Sequence, residues 1–153
     1  MDDVPLAFHR GGLTVSTDRA RIDLDAVLAM LRGTHWGGTL TRDTLERAVA
    51  RSLCFGLYDG PTQLGFARAI TDYTTYGYLS DVVIAEGRRG EGLGEWLVEC
   101  ILAHPDLQHL RRLALLTRDS ASLYARFGFA PGTGDLGYME LRGGASAAVR
   151  PQP

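Results

Sequence analysis

The sequence predicts one domain of mixed α/β class, a mostly antiparallel sheet flanked by helices. Three observations carry that prediction. Apolar stretches of strand length alternate with short turns between residues 53 and 85. Helix-period patterns with capping residues lie on both sides of them. A glycine-rich loop joins the last of these strands to a helix. With 153 residues, 45% apolar and 22% charged, the chain has the size and composition of a single globular domain. The domain is expected over 1–142, with a Gly-, Ala- and Pro-rich tail at 143–153 that composition marks as disordered.

The elements follow in order. Leu13-Thr14-Val15-Ser16 alternates and reads as a first strand. Asp23 caps a helix over Leu24 to Leu31, with Leu24, Val27, Leu28 and Leu31 on one face, and Gly33 stops it. The segment Thr34-His35-Trp36-Gly37-Gly38 is a loop. Thr41 starts a second helix that runs to about Arg51. Leu53 to Tyr58, Gln63 to Ile70 and Tyr76 to Ala85 form a meander, turned at Asp59-Gly60-Pro61 and at Asp72-Tyr73-Thr74-Thr75. A helix runs from about Leu93 to Ala103, ended by Pro105, and Arg112 to Thr117 is a strand. Strands 76–85 and 112–117 with the helix between them make a β-α-β unit, hence a parallel pair. Ser120 to Phe127 is a short helix and Tyr138 to Leu141 a last strand.

Composition narrows the function classes. The net charge is −2, with neither a nucleic-acid footprint nor a polybasic membrane patch. The N-terminus lacks the apolar run of a signal peptide, and no stretch approaches the ~18 apolar residues of a membrane helix. A cytoplasmic protein is the expectation. Cys54 and Cys100 have no metal-type spacing and read as small buried hydrophobes, and the four histidines have no ligand spacing, so no metal is expected.

The loop Arg89-Gly90-Glu91-Gly92-Leu93-Gly94 carries the chemistry. A helix start leaves backbone N–H groups unpaired, and its dipole favours anions. Gly90, Gly92 and Gly94 remove side chains that would block approach, and Arg88 and Arg89 add positive charge. Together these make a pyrophosphate cradle. The spacing is wrong for a dinucleotide fingerprint, and no lysine follows as a Walker loop requires. By spacing alone, a plain tight turn into a helix remains open.

Two blocks make the signal specific. Arg89, Gly92 and Gly94 meet the Arg/Gln-x-x-Gly-x-Gly/Ala core of the acyl-CoA signature of the GNAT superfamily, and Leu123-Tyr124-Ala125-Arg126-Phe127-Gly128-Phe129 resembles the family's L-Y-x-x-x-G-F block. Glu86 stands where the family often has proline. The resemblance spans residues 13–141. It implies a GNAT-like fold in which strands 76–85 and 112–117 splay, often with a bulge. It also implies acetyl-CoA as cosubstrate, with backbone groups of Val82, Val83 and Ile84 on the pantetheine arm and amides from Arg89 through Gly90, Glu91, Gly92 and Leu93 to Gly94, with Glu95, on the pyrophosphate. The activity implied is N-acetyl transfer to a primary amine of a small molecule. A protein or peptide acceptor, or a non-catalytic acyl-CoA-binding module, stays open. Dimers are common in the family, so a homodimer is among the states implied.

Attack on a thioester needs a neutral amine, so a base or a water chain must remove a proton from the ammonium, and an acid aids the leaving thiolate. The resemblance assigns the acid to Tyr124. Asp81 interrupts the apolar strand 78–84, and a carboxylate there must face the cleft, meet a partner or titrate high. Polyamine-type acetyltransferases are similar here, with Leu-Glu-Asp where this chain has Leu79-Ser80-Asp81. That leaves Asp81 as base or as ammonium anchor. His35, Trp36, Asp72 and Tyr73 are candidates for the acceptor pocket, Trp36 and Tyr73 by stacking on a cation, Asp72 by pairing with an ammonium and His35 as a base. Arg68 either contacts an acidic acceptor or pairs with Asp81 or Asp72.

Overall fold

The computed structural model describes residues 4–132 and 137–147. By contact pattern the chain divides after Arg118 into two compact units.

The first unit holds a six-stranded sheet in sequence order: β1 (Ala7–Arg10), β2 (Leu13–Ser16), β3 (Leu53–Asp59), β4 (Thr62–Thr71), β5 (Tyr76–Ile84) and β6 (Arg112–Leu115). Every pairing is antiparallel except β5 with β6. The parallel pair follows from the helix that connects its strands, because a crossover returns the chain to the starting end of the sheet. β1 is absent from the sequence reading. Three of its four residues are exposed, so the alternation that marks a half-buried strand is missing. The Gly11-Gly12 turn after it, with Gly11 at φ 59°, is the signal that would have found it.

Helix α1 (Leu24–Arg32) is capped by the Asp23 side chain, which accepts from the Ala26 amide at 3.1 Å. Helix α2 (Arg42–Ala50) is capped by the Thr41 hydroxyl, which accepts from the Thr44 amide at 3.2 Å. Their apolar faces, Val27, Leu28 and Leu31 with Leu45 and Val49, close on Cys54, Phe66 and Val83 of the sheet. Gly37 lets the loop between them fold back, since a Cβ there would lie 2.0 Å from the Leu31 carbonyl oxygen. Helix α3 (Leu93–Ala103) buries Trp96, Leu97, Val98, Cys100 and Ile101 and contacts β3, β4 and β5. Each such fully buried side chain contributes roughly 1.5–3 kcal/mol relative to exposure.

The second unit holds helix α4 (Ala121–Ala125), shorter than the expected 120–127. The strand expected at 138–141 does not form. Tyr138, Met139 and Leu141 are exposed, Met139 at 92%, and apolar alternation alone makes no strand. Of the expected tail, Gly144–Ala147 forms one 3-10 turn, and 148–153 lie outside the described residues.

Candidate functional site

The site is built along the carboxyl half of β5. Phe66 faces Val83 across β4 and β5, whereas Arg68 faces Ser80, so β5 carries one extra residue opposite Ala67. That is a β-bulge, and Asp81 inside it has φ 55°. Asp tolerates this left-handed region better than most residues. The ladder from β5 to β6 covers only Tyr76–Leu79 against Arg112–Leu115. Among the described residues, the β6 side of β5 beyond Leu79, including Val82, Val83 and Ile84, has no strand partner, so the parallel ladder ends just before the bulge. The resemblance implied this opening.

After Ile84 the chain makes a 3-10 turn (Glu86–Arg88) and enters the glycine loop. Gly90 and Gly92 have φ 82° and 76°, values that favour glycine. Gly92 is the N-cap of α3, and no side chain caps that end. Among the described residues, the amides of Gly90, Glu91, Gly92, Leu93 and Gly94 donate to no acceptor. A Cβ built on Gly90 or Gly92 meets nothing within 4 Å, so the space over the amides is open. Arg88 steadies the loop through Glu91 at 2.9 Å and Asp59 at 3.6 Å, and Arg89 Nε donates to the Ile84 carbonyl at 3.3 Å. Glu95 lies in the first turn of α3.

Asp81 is not alone in the apolar strand. Arg68 Nε donates to its Oδ2 at 2.5 Å, with the two side chains only 16% and 14% exposed. Asp81 Oδ1 meets no donor among the described residues, and it is not one of the enclosed atoms left without a partner. One oxygen is therefore engaged and the other open. Of the alternatives for Arg68, the structure selects the pair with Asp81.

Asp72 and Tyr73 lie in the turn at the opposite end of β5 from the glycine loop. Their hairpin turn precedes Tyr76, and the glycine loop follows Ile84, so the nine-residue strand separates them by about 27 Å. The Asp72 carboxylate organises the turn. Oδ1 accepts from the amides of Thr74, Thr75 and Tyr76, and Oδ2 from the Thr75 hydroxyl. Those bonds, the Thr75 hydroxyl first, hold its carboxyl well below the usual range. Tyr73 has φ 62° in the same turn. Trp36 stands on the α1–α2 loop, 52% exposed, with the His35 ring edge-on at 5.0 Å.

Tyr124 lies in the second unit, buried, with Phe129 edge-on at 5.7 Å. Burial pushes its phenol above the ordinary value, so it keeps its proton at neutral pH. Burial likewise pushes the thiols of Cys54 and Cys100 to about 11, so neither supplies a thiolate nucleophile near neutrality. Among the described residues no group of three His, Cys, Asp or Glu side chains is placed to hold a metal ion, and no helix is long and apolar enough to cross a membrane.

The sequence carries the loop directly, and the resemblance implies the bulge and the opening; the Arg68–Asp81 pair is one of several options that the sequence allows, and nothing in it marks Ser52, which also holds Arg68. The clue was the charge itself, because an acid and a base on adjacent apolar strands each need a partner.

Comparison with known proteins places this geometry. Residues 50–131 match the family model for the acetyltransferase (GNAT) domain. A Gibberella zeae protein assigned to the acetyltransferases is 38% identical over 143 residues, covering 80% of this chain and 81% of its own. A crystal structure of a GNAT-family protein from Xanthomonas campestris pv. campestris is 40% identical, with a TM-score of 0.77 over 81% of this chain and 88% of that one. Glucosamine-6-phosphate N-acetyltransferase from Arabidopsis thaliana shares the fold at 12% identity, with a TM-score of 0.60 over 83% of this chain and 97% of that one. The chain belongs to the GNAT acetyltransferase family.

Proposed function

We propose that the protein moves the acetyl group of acetyl-CoA to a primary amine of a small molecule by direct transfer. The observation that carries this is the row of unengaged amides from Gly90 to Gly94 at the start of α3, beside the bulge where β5 leaves β6. Residues and cosubstrate fit: the open space over Gly90 and Gly92 admits a diphosphate, and the amides and helix dipole suit its charge. Backbone groups of Val82, Val83 and Ile84 would hold the pantetheine arm. When bound, acetyl-CoA supplies an acetyl group already activated as a thioester.

The chain's own residues do the rest. The open Oδ1 of Asp81 accepts a hydrogen bond from the acceptor ammonium, or from a water that carries its proton away. The backbone amide near Val82 stabilises the negative charge that develops on the carbonyl oxygen. Burial keeps the Tyr124 phenol protonated near neutral pH, as the acid role that the family resemblance gives this residue requires. The protonated thiols of Cys54 and Cys100 favour this direct route over one through an acyl-cysteine. Trp36 offers an exposed aromatic face to the acceptor.

The test is thiol release from acetyl-CoA against a panel of amines, polyamines, amino acids and peptides. Turnover with a small amine is expected. Turnover confined to peptides would move the acceptor to protein, and coenzyme A binding without turnover on any acceptor would make the chain a sensor.

A further inference from the structure

We infer that Arg68 is a positioning residue for acetyl transfer, holding the Asp81 carboxylate so that one oxygen is fixed and the other faces the acceptor amine. The inference rests on the acetyl-transfer reading above and assigns a part in it to a residue that acts through the Asp81 carboxylate.

Four observations converge. Asp81 occupies a left-handed conformation inside the bulge, so its side chain leaves the strand in a direction set by that conformation. Arg68 reaches it from the neighbouring strand β4, where it faces Ser80 in the register. Its Nε binds only Oδ2, so Oδ1 is left accessible. The guanidinium is itself held at a second point, because Nη1 donates to Ser52 Oγ at 3.2 Å.

Ser52 ties the arrangement to the framework. It is buried and sits between α2 and β3. Its hydroxyl donates to the Ala48 carbonyl at 2.8 Å, and its own carbonyl accepts from Arg19 Nη2 at 3.0 Å. A chain of polar contacts therefore runs from the end of α2 through Ser52 and Arg68 to the bulge. The planar fork of Arg, using Nε toward Asp81 and Nη1 toward Ser52, does what a lysine ammonium cannot do in the same geometry. Both side chains are nearly enclosed, so solvent screens the pair little and the orientation persists. The arrangement resembles an acid–base pair in which a third group fixes the working side chain.

The experiment is a double-mutant cycle in the intact protein, read as kcat, KM for the amine and coenzyme A Kd. Asp81→Asn should lower kcat/KM for the amine by roughly 100-fold. Arg68→Met should lower kcat by about 10- to 100-fold with coenzyme A Kd unchanged. The double variant should be no slower than Asp81→Asn alone, because Arg68 acts through the carboxylate already lost. Arg68→Lys, which keeps the charge, should fall between wild type and Arg68→Met. Ser52→Ala, which keeps both charges, should lower kcat by a few-fold and serves where Arg68→Met fails to fold.

Losses that multiply in the double variant would overturn the inference and make Arg68 a support of the fold only. So would wild-type kcat in folded Arg68→Lys and Ser52→Ala, or wild-type turnover in Asp81→Asn. A wild-type protein that binds no coenzyme A would instead break the acetyl-transfer reading itself, and with it any step for Arg68 to assist. The two failures are separated by the wild-type binding measurement.

Discussion

The two ends of β5 present the same chemistry to different effect. Tyr73 and Asp81, in the turn before the strand and in the bulge within it, are the non-glycine residues with positive φ among those described. Each place has an aspartate, at 72 and at 81. At the turn, the carboxylate is exposed and accepts four hydrogen bonds from the next residues of its own chain. At the bulge, the carboxylate is nearly enclosed, meets a cation from the neighbouring strand and keeps one oxygen open. A carboxylate saturated by local amides organises backbone; one oriented by a distant side chain is available for chemistry. Residue type does not separate the two, and long-range contacts do.

The largest expected effect is at the loop beyond the bulge. Gly92→Glu places negative charge over the free amides and a side chain at φ 76°, and it should weaken coenzyme A binding roughly 100-fold or more, about 2.8 kcal/mol or more by calorimetry. Unchanged affinity would remove the loop from the site. Next, Asp81→Asn and Asp72→Asn test the comparison directly. The first should cost roughly 100-fold in turnover and the second should leave turnover as it was. Equal losses would show that both ends of β5 serve the reaction.

Tyr124→Phe should lower kcat by about 10-fold or more while KM changes little. The sign of its pH dependence follows from the raised phenol value. An acid must be protonated to act, so this group should not limit kcat until the pH exceeds about 10, the ordinary tyrosine value. An alkaline limb well below that would assign the acid elsewhere.

The smallest effect is on stability. The Asp72 carboxyl titrates below its ordinary value in the folded chain. Its contribution is therefore present above the unfolded value of about 3.9 and is lost as the pH falls through the folded one. Asp72→Ala should show a small fall in Tm near neutrality that shrinks below about pH 4. A constant difference down to strong acid would mean that the turn does not depend on the ionised carboxylate.

The amino-acid order alone determined three helices, over 24–31, about 41–51 and about 93–103, with the three-strand meander and the glycine loop, because caps, periodicity and turn residues act within a few positions of each other. It also marked Asp81 as anomalous, since a charge in an apolar strand is visible without coordinates. Tertiary structure alone decided that β1 completes the sheet edge, that residues 138–141 form no strand, and that Asp81 pairs with Arg68 while Asp72 stays with its own turn. The reason is range: Arg68 and Asp81 stand 13 residues apart and meet only when β4 and β5 pair in one register with one extra residue in the bulge. A one-residue shift of that register would turn the side chains to the opposite face and leave both charges without each other.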